Sequence, residues 1–164
     1  MEPSYVEYES LRREIERRST TQQALIVLNL TGVVVVTTVV AKMRDGETRA
    51  LLLLVVPFVS YALGRLWLDH HRVIKTIAQY VKEKLEPHLQ LGWESWGDKP
   101  RGIGLAIGFA AAHILIFAGP GTAAVVASWS LAQDAGRLSL IAPLILSAAL
   151  TLSTTVEIAR EVGP

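Results

Sequence analysis

Four apolar stretches, residues 24–41, 50–68, 103–118 and 138–158, decide what this chain can fold into. A hydrocarbon core about 30 Å thick takes roughly 20 helical residues, or about 17 at the short end. Each stretch is long enough to span it. Lipid rather than water is then the solvent that selects the fold. The fold class expected is all-α: a polytopic membrane protein with four transmembrane helices and a short cytoplasmic helical extension, forming one domain over residues 1–164.

Composition agrees. Apolar residues make up 51% of the chain, and the charged ones cluster outside the four stretches. A net charge of +1 argues against a nucleic-acid partner, which calls for a basic excess. The absence of cysteine excludes disulfides, thiol nucleophiles and Cys-ligated metals. The first stretch reads as an anchor that stays. Its flank, residues 7–18, mixes acids with bases, the apolar run exceeds a normal h-region, and no small-x-small cleavage site follows.

Charge sets the expected topology. Arg12, Arg13, Arg17 and Arg18 precede the first span, and Arg72, Lys75, Lys82, Lys84, Lys99 and Arg101 fill the long middle loop. Lys42, Arg44 and Arg49 lie in the first loop, while Arg137 is the only basic residue of the last. Positive charge favours the cytoplasmic side, which puts both termini and the 69–101 segment inside. Trp67, Trp93 and Trp96 fall at the proposed inner interface and Trp129 near the outer one, as amphipathic rings prefer. Gly119-Pro120-Gly121 kinks or breaks the third helix. One long kinked helix extending to residue 131 is preferred over a short interfacial helix.

Helical periodicity continues outside the spans. From Trp67 to Glu86 there is no glycine or proline, and Pro87 is expected to end the run. Ile74, Ile77, Val81 and Leu85 form one apolar stripe on a cytoplasmic helix near 69–86. Tyr8, Leu11 and Ile15 form a matching stripe on a helix near 5–21. The stripes can seal a small stalk, or meet another subunit or a cytoplasmic protein partner. Leu11-Arg12-Arg13-Glu14-Ile15, Tyr80-Val81-Lys82-Glu83 and Gly92-Trp93-Glu94 resemble short flanking motifs of a class of small, uncharacterised bacterial multi-pass membrane proteins. The resemblance implies a bacterial inner-membrane setting and carries no known activity.

Polar and small residues inside the spans are the remaining signals. Gly104, Gly108 and Ala112 recur every four residues and offer a smooth ridge for helix packing. His113 lies ten residues beyond Ile103, about 15 Å along a helix, and intramembrane ionisable groups are functional candidates. Ser147, Thr151 and Thr155 share one face of the fourth span, which Glu157 closes near the cytoplasm. With His113 and Asn29 they could line a polar path. Alternatively, hydroxyls return their bonds to the carbonyl one turn earlier and need no partner. Adjacent histidines in Asp69-His70-His71 point about 100° apart on a helix, whereas a helical zinc pair uses i and i+4. No metal and no cofactor are expected. No enzyme is expected either, since the chain lacks a phosphate loop, a nucleophile elbow, an HExxH or EF-hand pattern, and paired carboxylates in the spans. The leading expectation is a homo-oligomeric pore or channel for an ion or small solute. The alternative is a membrane-anchored scaffold whose cytoplasmic helices bind a partner.

Overall fold

In the computed structural model the described residues are 3–91, 103–135 and 141–162, and no strand occurs among them. Three helices are long and apolar enough to cross a membrane, and a bent pair makes a fourth if its halves count as one span. Trp93, Trp96, the Gly92-Trp93-Glu94 motif and the start of the 138–158 stretch lie outside the described residues.

Helix α1 runs from Pro3 to Lys42, 40 residues without interruption. At 1.5 Å per residue it is about 60 Å long, twice a hydrocarbon core. The separate N-terminal helix expected near 5–21 is therefore the first half of one rod. No glycine or proline separates the halves, and the polar junction is spliced rather than capped. Thr20 and Thr21 donate to the carbonyls of Glu16 and Arg17 instead of competing for backbone N–H groups. Glu9–Arg13 and Glu14–Arg18 pairs, acid first, support the charged half.

Asp45 caps helix α2 (Gly46–Leu53), its carboxylate accepting from the Thr48 amide at 2.8 Å. Helix α3 (Val55–Tyr80) follows after a break at Leu54. Pro57 explains the break, because it has no N–H for the Leu53 carbonyl one turn earlier. Beyond Tyr80 the helix does not stop at Pro87. It widens into a π-turn (Val81–Leu85) and continues as α4 (Glu86–Leu89). The wider turn moves carbonyls out of register with the proline ring, so Pro87 enters without the usual clash. The chain ends this rod at Gln90, whose φ of 53° is left-handed, with the Leu91 amide returning to the Glu86 carbonyl at 3.1 Å.

Helices α5 (Ile103–Phe117) and α6 (Gly119–Ala135) meet at 42° across Ala118. The last helix, α7 (Ile141–Val162), accepts Pro143 in its first turn, where a missing N–H costs nothing.

Cross-helix contacts order the bundle. Gln22 and Glu7 of α1 meet Trp67 and Tyr80 of α3, so the two helices are antiparallel. On α5–α6, His113 lies beside Trp67 and Ser128 beside Ala50, which makes that pair antiparallel to α2–α3. In α7, Leu144 packs with Ala50 and Leu54 while Ile158 packs with Leu63, Trp67 and Leu68, so α7 runs parallel to α3. Glycine allows two close approaches. A Cβ on Gly64 would sit 3.3 Å from Thr154 Cγ2, and one on Gly121 only 2.8 Å from Thr151 Oγ1. Large apolar side chains point outward, Leu115 at 70% exposure and Ile145 at 66%, the inverse of a water-soluble surface.

Candidate functional site

Polar groups of the apolar stretches gather in separate places. The first is a three-helix knot. Asn29 is buried, its Nδ2 donates to the Ile116 carbonyl at 2.7 Å, and its Oδ1 accepts from the Ser60 hydroxyl at 2.8 Å. The Ile116 carbonyl is free because its helical donor would be residue 120, a proline. Ser60, a single hydroxyl in an apolar run, carries no signal of this role in the sequence. The signal for the knot is the pairing of a proline, which must orphan a carbonyl four residues earlier, with a buried amide able to reach it.

The second is a ladder of rings. His113 lies between Phe109 and Trp67, with centroid distances of 4.2 and 4.3 Å, and Trp67 stacks on His71 at 5.1 Å. His113 Nδ1 is 2.8 Å from the Phe109 carbonyl, a bond that requires the proton on Nδ1. The ladder stands at the end of the 50–68 stretch, level with Trp67, rather than beside Asn29 and Thr151. Trp67 itself is 2% exposed, so it fills the bundle instead of facing headgroups. Trp129, by contrast, is exposed. His71 lies beyond the apolar stretch. Burial pushes its imidazole below the ordinary histidine range, reinforced by Lys75 and His113 and opposed by Glu161.

The hydroxyl face of α7 is mostly self-satisfied. Thr151 donates to Ser147 O, Thr154 to Leu150 O and Thr155 to Thr151 O, each at 2.9 Å. Ser147 is fully buried and its hydroxyl has no partner. Thr151 and Thr155 also edge an outward groove of about 230 Å³ between α6 and α7, with Thr122 on its far wall. Glu157 pairs with Arg65, and Glu161 pairs with Arg72 at 2.8 Å. Of the six residues expected to share a path, the structure brings Ser147 to Thr151 and Thr151 to Thr155. Asn29, His113 and Glu157 each engage other partners: Ile116 and Ser60, Phe109 and Trp67, and Arg65.

The ridge of small residues also lies open. Nothing stands within 4 Å of a Cβ built on Gly108, and Ala112 is exposed. Gly104 is helical, but its surroundings lie outside the described side chains. Among the described glycines, the close approaches belong to Gly64 and Gly121.

Beyond the ladder, α1 and the end of α3 form a stalk. Val81, Leu85 and Leu89 are buried there, against Tyr8, Leu11, Ile77 and Leu91. Ile15 and Ile74 are half-buried outside this cluster. Each large apolar side chain buried from water contributes about 1.5–3 kcal/mol. Tyr80 donates to Glu7 at 2.8 Å, which raises its phenol above the usual range. Hydrogen bonds from Arg17 and then Arg18 hold Glu14 below the usual carboxylate range. Asp69, His70 and His71 diverge: Asp69 is exposed, His70 faces Arg18 and His71 faces Trp67. His88 bonds within its own turn, to the Lys84 carbonyl. No protein-family model, curated protein or solved structure matches this chain.

Proposed function

We propose that this protein is a membrane-anchored scaffold, whose spans hold a helical stalk that receives a cytoplasmic protein partner. With α5–α6 as one bent span, the chain crosses the membrane four times. The excess of lysine and arginine in the N-terminal flank and after α3 supports a cytoplasmic stalk and cytoplasmic termini in a bacterial inner membrane.

The observation that carries the reading is the stalk itself. From Leu68 to Leu89 it reaches roughly 30 Å past the apolar stretch, sealed by its own apolar cluster. Along α1 runs a groove of about 600 Å³ in which Ile15, and Tyr8 at the edge of the cluster, are flanked by Glu9, Arg12, Arg13 and Glu16 and by the polar Ser19, Thr20 and Gln23. Tyr5 and Val6 are exposed close by in sequence. A few apolar side chains set among charged and polar ones are the makings of a polar protein interface. The polar side chains of the spans, by contrast, mostly bond to the backbone of their own helix, and Asn29, Ser60 and Ser128 bond across the bundle.

A second reading, a conduit between copies in a homo-oligomer, draws on the outward groove at Thr122, Thr151 and Thr155. Photo-crosslinking residues placed at Tyr5 and Arg13 in cells, with lipid-facing Leu115 as control, separate the two. The scaffold reading expects a discrete adduct at the stalk positions that Ile15→Asp removes and Thr151→Val leaves intact. A solute flux in vesicles that Thr151→Val with Thr155→Val abolishes, with stalk variants silent, would instead establish the conduit.

A further inference from the structure

One turn of α3 faces two elements at once. His71 turns toward α5 through Trp67, and His70 turns toward α1, where its Nδ1 lies 3.3 Å from an Arg18 guanidinium nitrogen. A guanidinium only donates and keeps its proton. The contact therefore exists only while His70 Nδ1 carries a lone pair. A proton on that nitrogen replaces a hydrogen bond between α1 and α3 with an encounter of two cations.

The surrounding charges do not cancel that change. On α1, Glu14 already accepts from Arg18 at 2.6 Å and from Arg17 at 2.8 and 2.9 Å. On α7, Glu161 is held by Arg72, and its backbone carbonyl accepts from Lys75. On α3, Asp69 is exposed to solvent, Lys75 adds to the basic side, and His71 faces Trp67 instead of His70. The contribution of α5 is His113, on the far side of Trp67.

We propose that His70 and Arg18 form a proton-operated latch: neutral His70 holds the N-terminal half of α1 against α3, and protonated His70 releases it. The latch sits between two other fastenings. On the membrane side, Gln22 donates to the Trp67 carbonyl at 3.2 Å, and Asn29 anchors α1 in the bundle. Toward the tip stand the Glu7–Tyr80 bond and the apolar cluster. Because α1 is continuous, a released arm swings as a rod about the Asn29 anchorage and populates an open state in exchange with the closed one.

The absence of native cysteine makes the test direct. Ser10→Cys and Gln79→Cys, both at exposed positions, take spin labels in the full chain in nanodiscs, and the distance distribution is read at about pH 8 and pH 5, the two ends of histidine titration. The expected result is one narrow distance at the higher pH and an added longer component at the lower. A like-charge contact at partial exposure multiplies by about tenfold the open population that the tip cluster and the Glu7–Tyr80 bond allow at the higher pH. His70→Asn keeps an oxygen acceptor near the Nδ1 position and cannot titrate, so it stays narrow at both values. Arg18→Ala shows the longer component already at the higher pH, and His71→Gln keeps the pH response. Identical distributions of the unaltered stalk at both pH values overturn the latch. The same broadening in His70→Asn overturns it as well.

Discussion

Asn29 supplies the hydrogen bond that Pro120 withholds. The proline leaves the Ile116 carbonyl without its helical donor, and the Asn29 amide on another helix takes that place at 2.7 Å. Ser60 completes the arrangement by donating to the remaining Asn29 oxygen. The bend between α5 and α6 is thus fastened from α1, and the fastening is itself held from α3.

Removing the donor exposes the defect. Asn29→Leu is expected to lower stability by about 1–2 kcal/mol, within the range of interhelical hydrogen bonds in lipid. In a Pro120→Ala background the position regains an N–H for Ile116, so the same change costs less. Reversible unfolding in mixed micelles over the four-variant cycle measures the coupling. Equal losses in both backgrounds would show that Asn29 does not serve the proline.

Close packing separates two glycines that look alike in sequence. Gly121→Ala drives a methyl to 2.8 Å from the Thr151 hydroxyl, with Pro57 behind it at 3.5 Å. A loss of about 1–3 kcal/mol is expected, as for other overpacked sites. Gly108→Ala meets nothing and is expected to be neutral or slightly stabilising. Thermal melting in detergent orders the two, and the opposite order refutes the packing assignment.

His71 gives the molecule a signed dependence on pH. Its imidazole is held below the ordinary histidine range, chiefly by burial. The folded state thus binds fewer protons at this position than the unfolded one. The contribution is complete above the unfolded value of about 6.5 and is lost as pH falls below it. Melting temperatures between about pH 8 and 5 should therefore fall toward acid, and His71→Phe should flatten that slope. A slope unchanged by the substitution would assign it to other groups.

Much of the helical plan was legible in the chain, and the reasons are local. Apolar run length marks α1, α3 and α7, and Gly119-Pro120-Gly121 marks the bend. The stripes at Tyr8–Leu11 and Val81–Leu85 follow from period alone. What escaped depends on partners distant in sequence. The π-turn that lets Pro87 into the rod, the burial of Trp67 and the commitment of Asn29 to Ile116 are properties of neighbours, not of a segment. Tryptophan in particular reads as an interfacial anchor from its own flanks, and only the meeting of α3, α5 and α7 turns it inward. For the same reason the polar residues of the spans were recognisable one by one, while their division into a knot, a ladder and a self-satisfied face was not.

The end of the α3 rod carries a small backbone cost. Gln90 adopts a left-handed conformation that a side chain disfavours and glycine does not. Gln90→Gly removes a left-handed penalty of about 1–2 kcal/mol, partly offset by the greater chain entropy of glycine, and is expected to stabilise the stalk by up to about 1 kcal/mol. Hydrogen exchange across residues 81–89 reads the gain as slower opening, and faster exchange there would refute it.

The unbroken length of α1 has a mechanical meaning. A helix without glycine, proline or bulge between Tyr8 and Asn29 stores little bend and twists as one shaft. Its tip, its contacts with α3 at Glu7 and Gln22, and the Asn29 amide that holds the elbow at Pro120 therefore share one continuous backbone. One backbone thus joins the outermost turn of the stalk to the residue that holds the elbow in the middle of the bundle.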